Sequence, residues 1–431
     1  MVKKKLSRYQ IFPSVLLAGK KSKVTIIPKK EQYSLQEDEY ILFLSPTERK
    51  DKSDDPMFHE WTVPVEDGVL SFEYDFQHEQ EYAIFVETKE GKKVLQGSVY
   101  ALESDLYETV PYKGDLHFHS VHSDGRGELP EIAGALREKG YDFLCLTDHY
   151  RFYPSEEMKA MYEGVDTGLH IFLGEEAQVI DIVDMHIVNF NGKYSVNSLI
   201  EKDYENLKKQ LVEEAKHIET PDGVDPVDYV FRKWICDEIR KSGGLAIFPH
   251  PYWSPSSWRK VYHTGTPTSI YAIKQGVYDA FELLNGSGKM QKNNLQVALY
   301  QELRAEGVDI PIVGSTDSHG TDCETSTFDH AYTLVFAKDV DEIPQAILDK
   351  RCVAVENIPN EMPRVHGHFR MVKYALFLIE HFYPEYMALT KPLGGLVCAY
   401  GETKKCAEDI EIISNRVTEF RNQYFNTEGK D

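Results

Sequence analysis

The chain has 431 residues, enough for two or three domains, and its 42% hydrophobic and 27% charged content is ordinary for a globular protein with a sizeable core. Its formal net charge of -22 opposes general binding to nucleic acid or to an anionic membrane, although a bound metal cluster would reverse the sign locally and admit a phosphate substrate. The six cysteines form no C-x-x-C pair, which excludes a disulfide framework or a thiolate zinc site and fits a reducing cytoplasm.

Met1 to Lys5 is basic, but the apolar stretch after it is interrupted by Arg8, Gln10 and Pro13, and no small-residue cleavage site comes next. No signal peptide is expected, and no stretch approaches the roughly 18 apolar residues of a membrane span. Residues 1–107 read as all-β. Short apolar or alternating runs recur at Val24–Ile27, Tyr40–Leu44, Leu70–Tyr74, Tyr82–Val86 and Val94–Leu102, separated by turns such as Glu66-Asp67-Gly68. This spacing predicts a small β-sandwich-like domain.

From residue 108 to 360 the pattern becomes strand, loop, helix, strand. Pro130 opens a helical pattern carrying Ile132, Ala135 and Leu136, and Gly140 closes it where a left-handed residue is needed. Phe143–Leu146 then reads as a buried strand, and similar runs lie at Ile171–Leu173, Leu245–Phe248, Ala280–Leu284 and Ile312–Gly314. The fold class is therefore α/β. Residues 361–431 are mostly helical. Ala407–Tyr424 is amphipathic, with Ile410, Ile413, Val417 and Phe420 on one face, and serves either as a packing cap or as the surface of a homo-oligomer.

The residues able to carry chemistry sit just beyond the buried runs. His117 and His119, two apart on an extended backbone, point the same way and can reach one ion. Asp124 sits in the Ser-Asp-Gly loop a few residues on. Thr147-Asp148-His149, Gly174-Glu175-Glu176, Pro249-His250-Pro251 and Asp317-Ser318-His319 each come directly after an apolar run. Functional groups of α/β barrels sit at the carboxyl ends of their strands, and scattered surface histidines would not obey that rule. His186 stands among apolar neighbours and reads equally well as a core histidine. Imidazole with carboxylate and no thiolate suits Zn, Mn or Fe, and six histidines with three acids are too many for one ion. Two or three clustered divalent ions are the kind of centre that binds phosphoryl oxygens and generates hydroxide.

Taken in order, Asp115-His117-His119, Ser123-Asp124-Gly125, Thr147-Asp148-His149, Gly174-Glu175-Glu176, His186, Pro249-His250-Pro251 and Asp317-Ser318-His319 resemble the PHP family, named for polymerase and histidinol phosphatase. The resemblance spans about residues 112–355 and leaves the two ends uncovered. It implies a distorted (β/α)7 barrel and hydrolysis of phosphate esters by a metal-activated hydroxide at a di- or trinuclear centre. It also implies that His117, His119, Glu176 and Asp317 hold one ion, that Glu176 bridges to a second held by His186 and His250, and that Asp124, His149 and His319 hold a third. Glu176, Asp317, His319 and His149 are thus the expected catalytic residues, with the choice between Glu175 and Glu176 open. Asp115 and Asp148 are expected to orient ligands or their loops.

Candidate substrate contacts are Arg126 and Arg151, as cations near the phosphate, and Glu282 and Asn285 at a strand end. Tyr252, Trp253 and Trp258 come after His250 and could stack on a substrate ring. The expected substrate is a small phosphomonoester, such as a nucleotide or sugar phosphate. A phosphodiesterase or nuclease of the same family, and a non-catalytic binding protein, are the alternatives. An amidohydrolase would need a bridging lysine that no strand end supplies.

Overall fold

The computed structural model describes residues 7–48, 58–179, 185–254, 261–286, 290–322 and 326–427. The basic start Met1–Lys5 and the candidate stacking residue Trp258 lie outside the described residues. The chain divides into two compact units, one formed by residues 111–368 and 391–411, the other by 2–110, 369–390 and 412–431.

The second of these units is built on eight strands: β1 (Tyr9–Phe12), β2 (Val15–Leu17), β3 (Lys20–Pro28), β4 (Glu39–Pro46), β5 (His59–Glu66), β6 (Val69–Phe76), β7 (Gln80–Glu87) and β8 (Lys93–Leu102). They form one sheet in the order β1-β3-β6-β5-β4-β7-β8-β2. Two separate sandwich sheets do not form, because β5 pairs along one edge with β4 and along the other with β6. Alternation sets the inner face: Tyr40, Leu42 and Leu44 of β4, and Tyr82, Ile84 and Val86 of β7, enter one core with Val24, Leu70 and Phe76. Helix Phe369–Phe377 docks through Arg370, whose guanidinium donates to both carboxylate oxygens of Glu79 at 2.6 and 2.7 Å and to Asp105 at 2.8 and 2.9 Å.

The other unit is mixed α/β. Its strands are β9 (Val110–Asp115), β10 (Phe143–Cys145), β11 (His170–Phe172), β12 (Gly174–Val179), β13 (Met185–Phe190), β14 (Leu245–Phe248), β15 (Ala280–Asn285), β16 (Ile312–Ser315), β17 (Ala331–Ala337), β18 (Cys352–Glu356) and β19 (Arg364–His366). They form two sheets, β11-β10-β9-β17-β18-β19 and β12-β13-β14-β15-β16. Strands β9, β10 and β11 run parallel, as do β14, β15 and β16, but β13 is antiparallel to both its neighbours. Regular strand–helix alternation therefore breaks at the β12–β13 pair. Two isolated parallel bridges link the sheets: Phe118, after β9, to Ser318, after β16, and His149, after β10, to Glu176 within β12.

Local sequence explains the elements that bring the functional loops into place. Helix Leu129–Glu138 opens on a reciprocal capping box between Glu128 and Glu131 with Pro130 in its first turn, and Gly140 ends it at φ +71°. Its buried face presents Ile132, Ala133 and Leu136. Strands β10, β14 and β16 are buried on both faces, so they read as nearly continuous apolar runs rather than alternating ones. Among the described residues no helix is long and apolar enough to cross a membrane.

Candidate metal centre

The strand ends deliver their polar groups to one place. His117 and His119 come after β9, and their Nε2 atoms lie 3.1 Å apart. His149 comes after β10, Glu176 lies in β12, and His186 lies across the hairpin in β13. His250 comes after β14, and Asp317 and His319 after β16. His250 and Asp317 hold φ of +24° and +49°, a region that side-chain-bearing residues avoid and that recurs at functional sites.

Four groups have donor atoms mutually within 4.8 Å: His119, Asp124, His149 and His319; His117, His119 and Glu176; His117, His250 and Asp317; His149, Glu176 and His186. Every sequence-expected ligand appears in at least one group.

Glu176 is the hub. Its Oε1 lies 2.7 Å from His186 Nδ1 and 3.3 Å from His250 Nε2. Its Oε2 lies 3.0 Å from His149 Nδ1, 3.1 Å from His117 Nε2 and 3.3 Å from His119 Nε2. Yet these contacts lack hydrogen-bond alignment, and among the described residues Oε2 is buried without an aligned partner, as are His119 Nδ1, His149 Nδ1 and His250 Nδ1. Orphaned buried polar atoms carry a desolvation cost of roughly 1–3 kcal/mol each, so a cluster of them calls for an occupant. A metal–ligand distance of about 2.1 Å places neighbouring ligands about 3.0 Å apart in an octahedron and about 3.4 Å apart in a tetrahedron. The donor spacings around Glu176 Oε2 fall on those edges, so the residues fit divalent ions.

Charge balance points the same way. Burial alone would raise the Glu176 carboxyl, but His186, His117 and His149 outweigh it and hold it well below the carboxylate range. Burial opposes charge on His149, yet Glu176 and Asp124 push it up to about 10. His117 is likewise driven well above its ordinary value against burial, by Asp317, Glu176 and Glu282. Without metal the site draws in protons as its cations.

The neighbouring Glu175 faces elsewhere. It accepts from Ser195 Oγ at 2.7 Å, Asn197 Nδ2 at 3.0 Å and Val196 N at 2.5 Å, capping helix Val196–Lys202. Asp148 accepts from Ser120 N at 2.9 Å, Ser120 Oγ at 2.7 Å and Ser123 Oγ at 2.5 Å, which ties down the loop carrying Asp124. Asp115 accepts from Thr316 N at 3.0 Å and Thr316 Oγ1 at 2.5 Å, joining the His117 and Asp317 segments. Burial pushes its carboxyl up to about 7, against those hydrogen bonds.

The candidate substrate contacts separate. Glu282 and Asn285 are buried behind the histidines: Glu282 Oε2 accepts from His117 Nδ1 at 2.9 Å, and Asn285 Nδ2 donates to Glu282 Oε1 at 2.7 Å and to Asp317 Oδ2 at 3.2 Å. Arg126 is exposed, with Nη2 3.8 Å from Asp322 and its backbone N–H on the His319 carbonyl at 2.9 Å. Arg151 is exposed beside His149. Tyr252 is buried in the hydrophobic core, whereas the Trp253 ring lies 5.6 Å from His186 and 6.1 Å from His250. Two residues escaped sequence reasoning. The Gln178 amide lies 2.7 Å from His186 Nε2, and the His263 ring stands 5.3 Å from His186 and 5.4 Å from His250. A signal existed for Gln178, two residues beyond Glu176 and so on the same face of β12. None existed for His263, which comes after no strand.

Residues 115–230 match the family model of the PHP domain. A stretch of 92 residues is 35% identical to the DNA polymerase/3'-5' exonuclease PolX of Bacillus subtilis (strain 168), covering 21% of this chain and 14% of that protein. Among solved structures, a two-domain protein of Bacteroides vulgatus ATCC 8482 containing a predicted PHP-like metal-dependent phosphoesterase is 18% identical, with a TM-score of 0.38 over 57% of this chain and 65% of that one. A protein of Bifidobacterium adolescentis ATCC 15703, described as a metal-dependent phosphoesterase, is 17% identical, with a TM-score of 0.37 over 54% and 95% of the two chains. An amidohydrolase from Chromobacterium violaceum is 19% identical, with a TM-score of 0.32 over 48% and 87%.

Proposed function

We propose that this chain, whose residues 115–230 match the PHP-domain model, is a metal-dependent phosphoesterase whose substrate is a small-molecule phosphomonoester. The observation that carries the reading is the crowding of three histidine nitrogens within 3.3 Å of one unpartnered buried carboxylate oxygen, Glu176 Oε2. We read the two sheets of this unit as the wall of a distorted (β/α)7 barrel, which the Phe118–Ser318 and His149–Glu176 bridges support.

Bound divalent ions, Zn, Mn or Fe, supply Lewis acidity toward phosphoryl oxygens and acidify water. His117, His119, Glu176 and Asp317 would hold one ion; Glu176, His186 and His250 a second; Asp124, His149 and His319 a third. Glu282 fixes the ring orientation of His117 by accepting its Nδ1 proton, and Asn285 holds Glu282 and Asp317 in register. Asp148 keeps the Asp124 loop closed over the histidines. The net charge of -22 favours a compact substrate over a long polyanion. The likeness to a polymerase/3'-5' exonuclease makes a diester the second reading.

The test is elemental analysis of the purified chain beside hydrolysis of an aryl phosphate monoester and a diester with Mn or Zn added. Two or more ions per chain with monoester turnover is the expected result. Bound metal with turnover of the diester alone moves the assignment to the second reading. No metal and no turnover after reconstitution overturns both.

A further inference from the structure

The surface beside His149 has a composition that the metal centre does not account for. Tyr150, Tyr153, Tyr194 and Leu199 are 37%, 46%, 37% and 39% exposed, and all four line one groove of about 640 Å³. Single exposed apolar residues need no explanation, but three tyrosines gathered in one groove do. Arg151 and Lys193 also line it, both exposed and neither in an ion pair among the described residues. Glu156 and Glu201 line it too, so the groove carries no large net charge and its distinguishing feature is its rings.

The groove adjoins the metal-ligand segments along the chain, although no candidate ligand lines it. Tyr150 comes directly after His149, and its backbone N–H points at the Glu176 carbonyl at 3.4 Å. It takes φ +61°, a conformation costly for a bulky residue and kept where the surroundings impose it. Tyr153 Oη lies 3.1 Å from His122 Nδ1, two residues before Asp124. On the opposite side, Ser195 is anchored to Glu175, the residue before Glu176. The buried Phe152 roots the same segment. Both walls are thus pinned to strands that carry ligands.

We propose that this groove is the leaving-group subsite and that it takes a planar aromatic ring, carried on the far side of the scissile phosphate ester. This rests on the phosphoesterase reading and narrows it to ring-bearing substrates. Tyrosine faces bind planar rings through their quadrupoles, whereas a saturated ring of the same size cannot stack. Arg151 and Lys193 offer donors to polar substituents on that ring.

The test uses the metal-loaded full chain and two non-hydrolysable probes of equal charge and similar size, benzylphosphonate and cyclohexylmethylphosphonate, with inorganic phosphate as the reference. Benzylphosphonate should inhibit roughly ten-fold more tightly than its saturated counterpart, the scale of one base–aromatic stack. Tyr194→Leu should erase that preference, Tyr194→Phe should keep it, and neither should change metal content or inhibition by phosphate. Equal inhibition by the two phosphonates, with phosphate still inhibiting, overturns the ring subsite and leaves the phosphoesterase standing. A preference that survives Tyr194→Leu and Tyr153→Leu alike places the ring elsewhere and also overturns the proposal. Absence of any metal-dependent phosphate-ester turnover to inhibit removes the phosphoesterase reading itself.

Discussion

The Glu282 carboxylate accepts from His117 Nδ1 at 2.9 Å, and both side chains are completely buried. A histidine that must present Nε2 to an ion needs its other nitrogen protonated and held, and a carboxylate does both while raising the basicity of the ring. Glu282→Gln keeps the shape and loses the charge. Metal affinity at the His117 position should fall about 10- to 100-fold, the usual scale for such partners. Chelator competition with subsequent elemental analysis measures it, and unchanged affinity would show that Glu282 only fills space.

Two adjacent glutamates should behave oppositely. Glu175 caps helix Val196–Lys202, while Glu176 sits among His117, His119, His149, His186 and His250. Glu175→Gln should lower stability by about 1 kcal/mol, the scale of a lost cap, and leave metal content intact. Glu176→Gln should strip metal from the chain. Thermal unfolding and metal stoichiometry on the two variants separate the roles, and metal loss from Glu175→Gln with retention in Glu176→Gln would reverse the assignment.

That pair marks how far the sequence could be read. The placement of candidate ligands at the ends of β9, β10, β14 and β16 was legible because buried runs announce their own ends. The two faces of β12 were not separable by composition, since Glu175 and Glu176 are chemically identical and only hairpin register assigns their directions. The Glu282–His117 contact joins residues 165 apart, and no local spacing predicts it. Tyr252 and Trp253 look alike in a loop sequence, yet Tyr252 packs into the core and Trp253 reaches the histidines. Their order in the chain holds no periodicity from which a face could be inferred.

Metal uptake should release protons. In the metal-free site Glu176 and Asp124 raise His149 to about 10, and Asp317 and Glu176 hold His117 well above its ordinary value, so these two rings carry protons at neutral pH. Ions bind only the deprotonated rings, so apparent affinity should climb as pH rises towards about 10, where His149 loses its proton. The metal-free chain should behave in the opposite sense. Its raised histidines contribute stability that is present below their unfolded value of about 6.5 and is lost as pH rises towards 10. Calorimetric titration in buffers of different ionisation heat counts the released protons, and a count of zero at about pH 7 would refute the charge assignment.

Gly114 tests the packing beneath the centre. A Cβ there would come within 2.2 Å of three atoms of the Phe143 ring, and Phe143 is fully buried in the adjacent strand β10. At that separation the ring must leave its rotamer or the strands must separate. Gly114→Ala should therefore destabilise the chain by about 1–3 kcal/mol, the range for overpacking. Because Gly114 precedes Asp115, whose carboxylate joins the His117 and Asp317 segments, the shift should reach the ligands and weaken metal binding as well. The double variant Gly114→Ala with Phe143→Leu removes the aromatic ring and should recover part of both losses. Denaturant melts and metal titrations on the single and double variants check this. An equally damaged double variant would mean that the glycine is required for its backbone rather than for the space it leaves to Phe143.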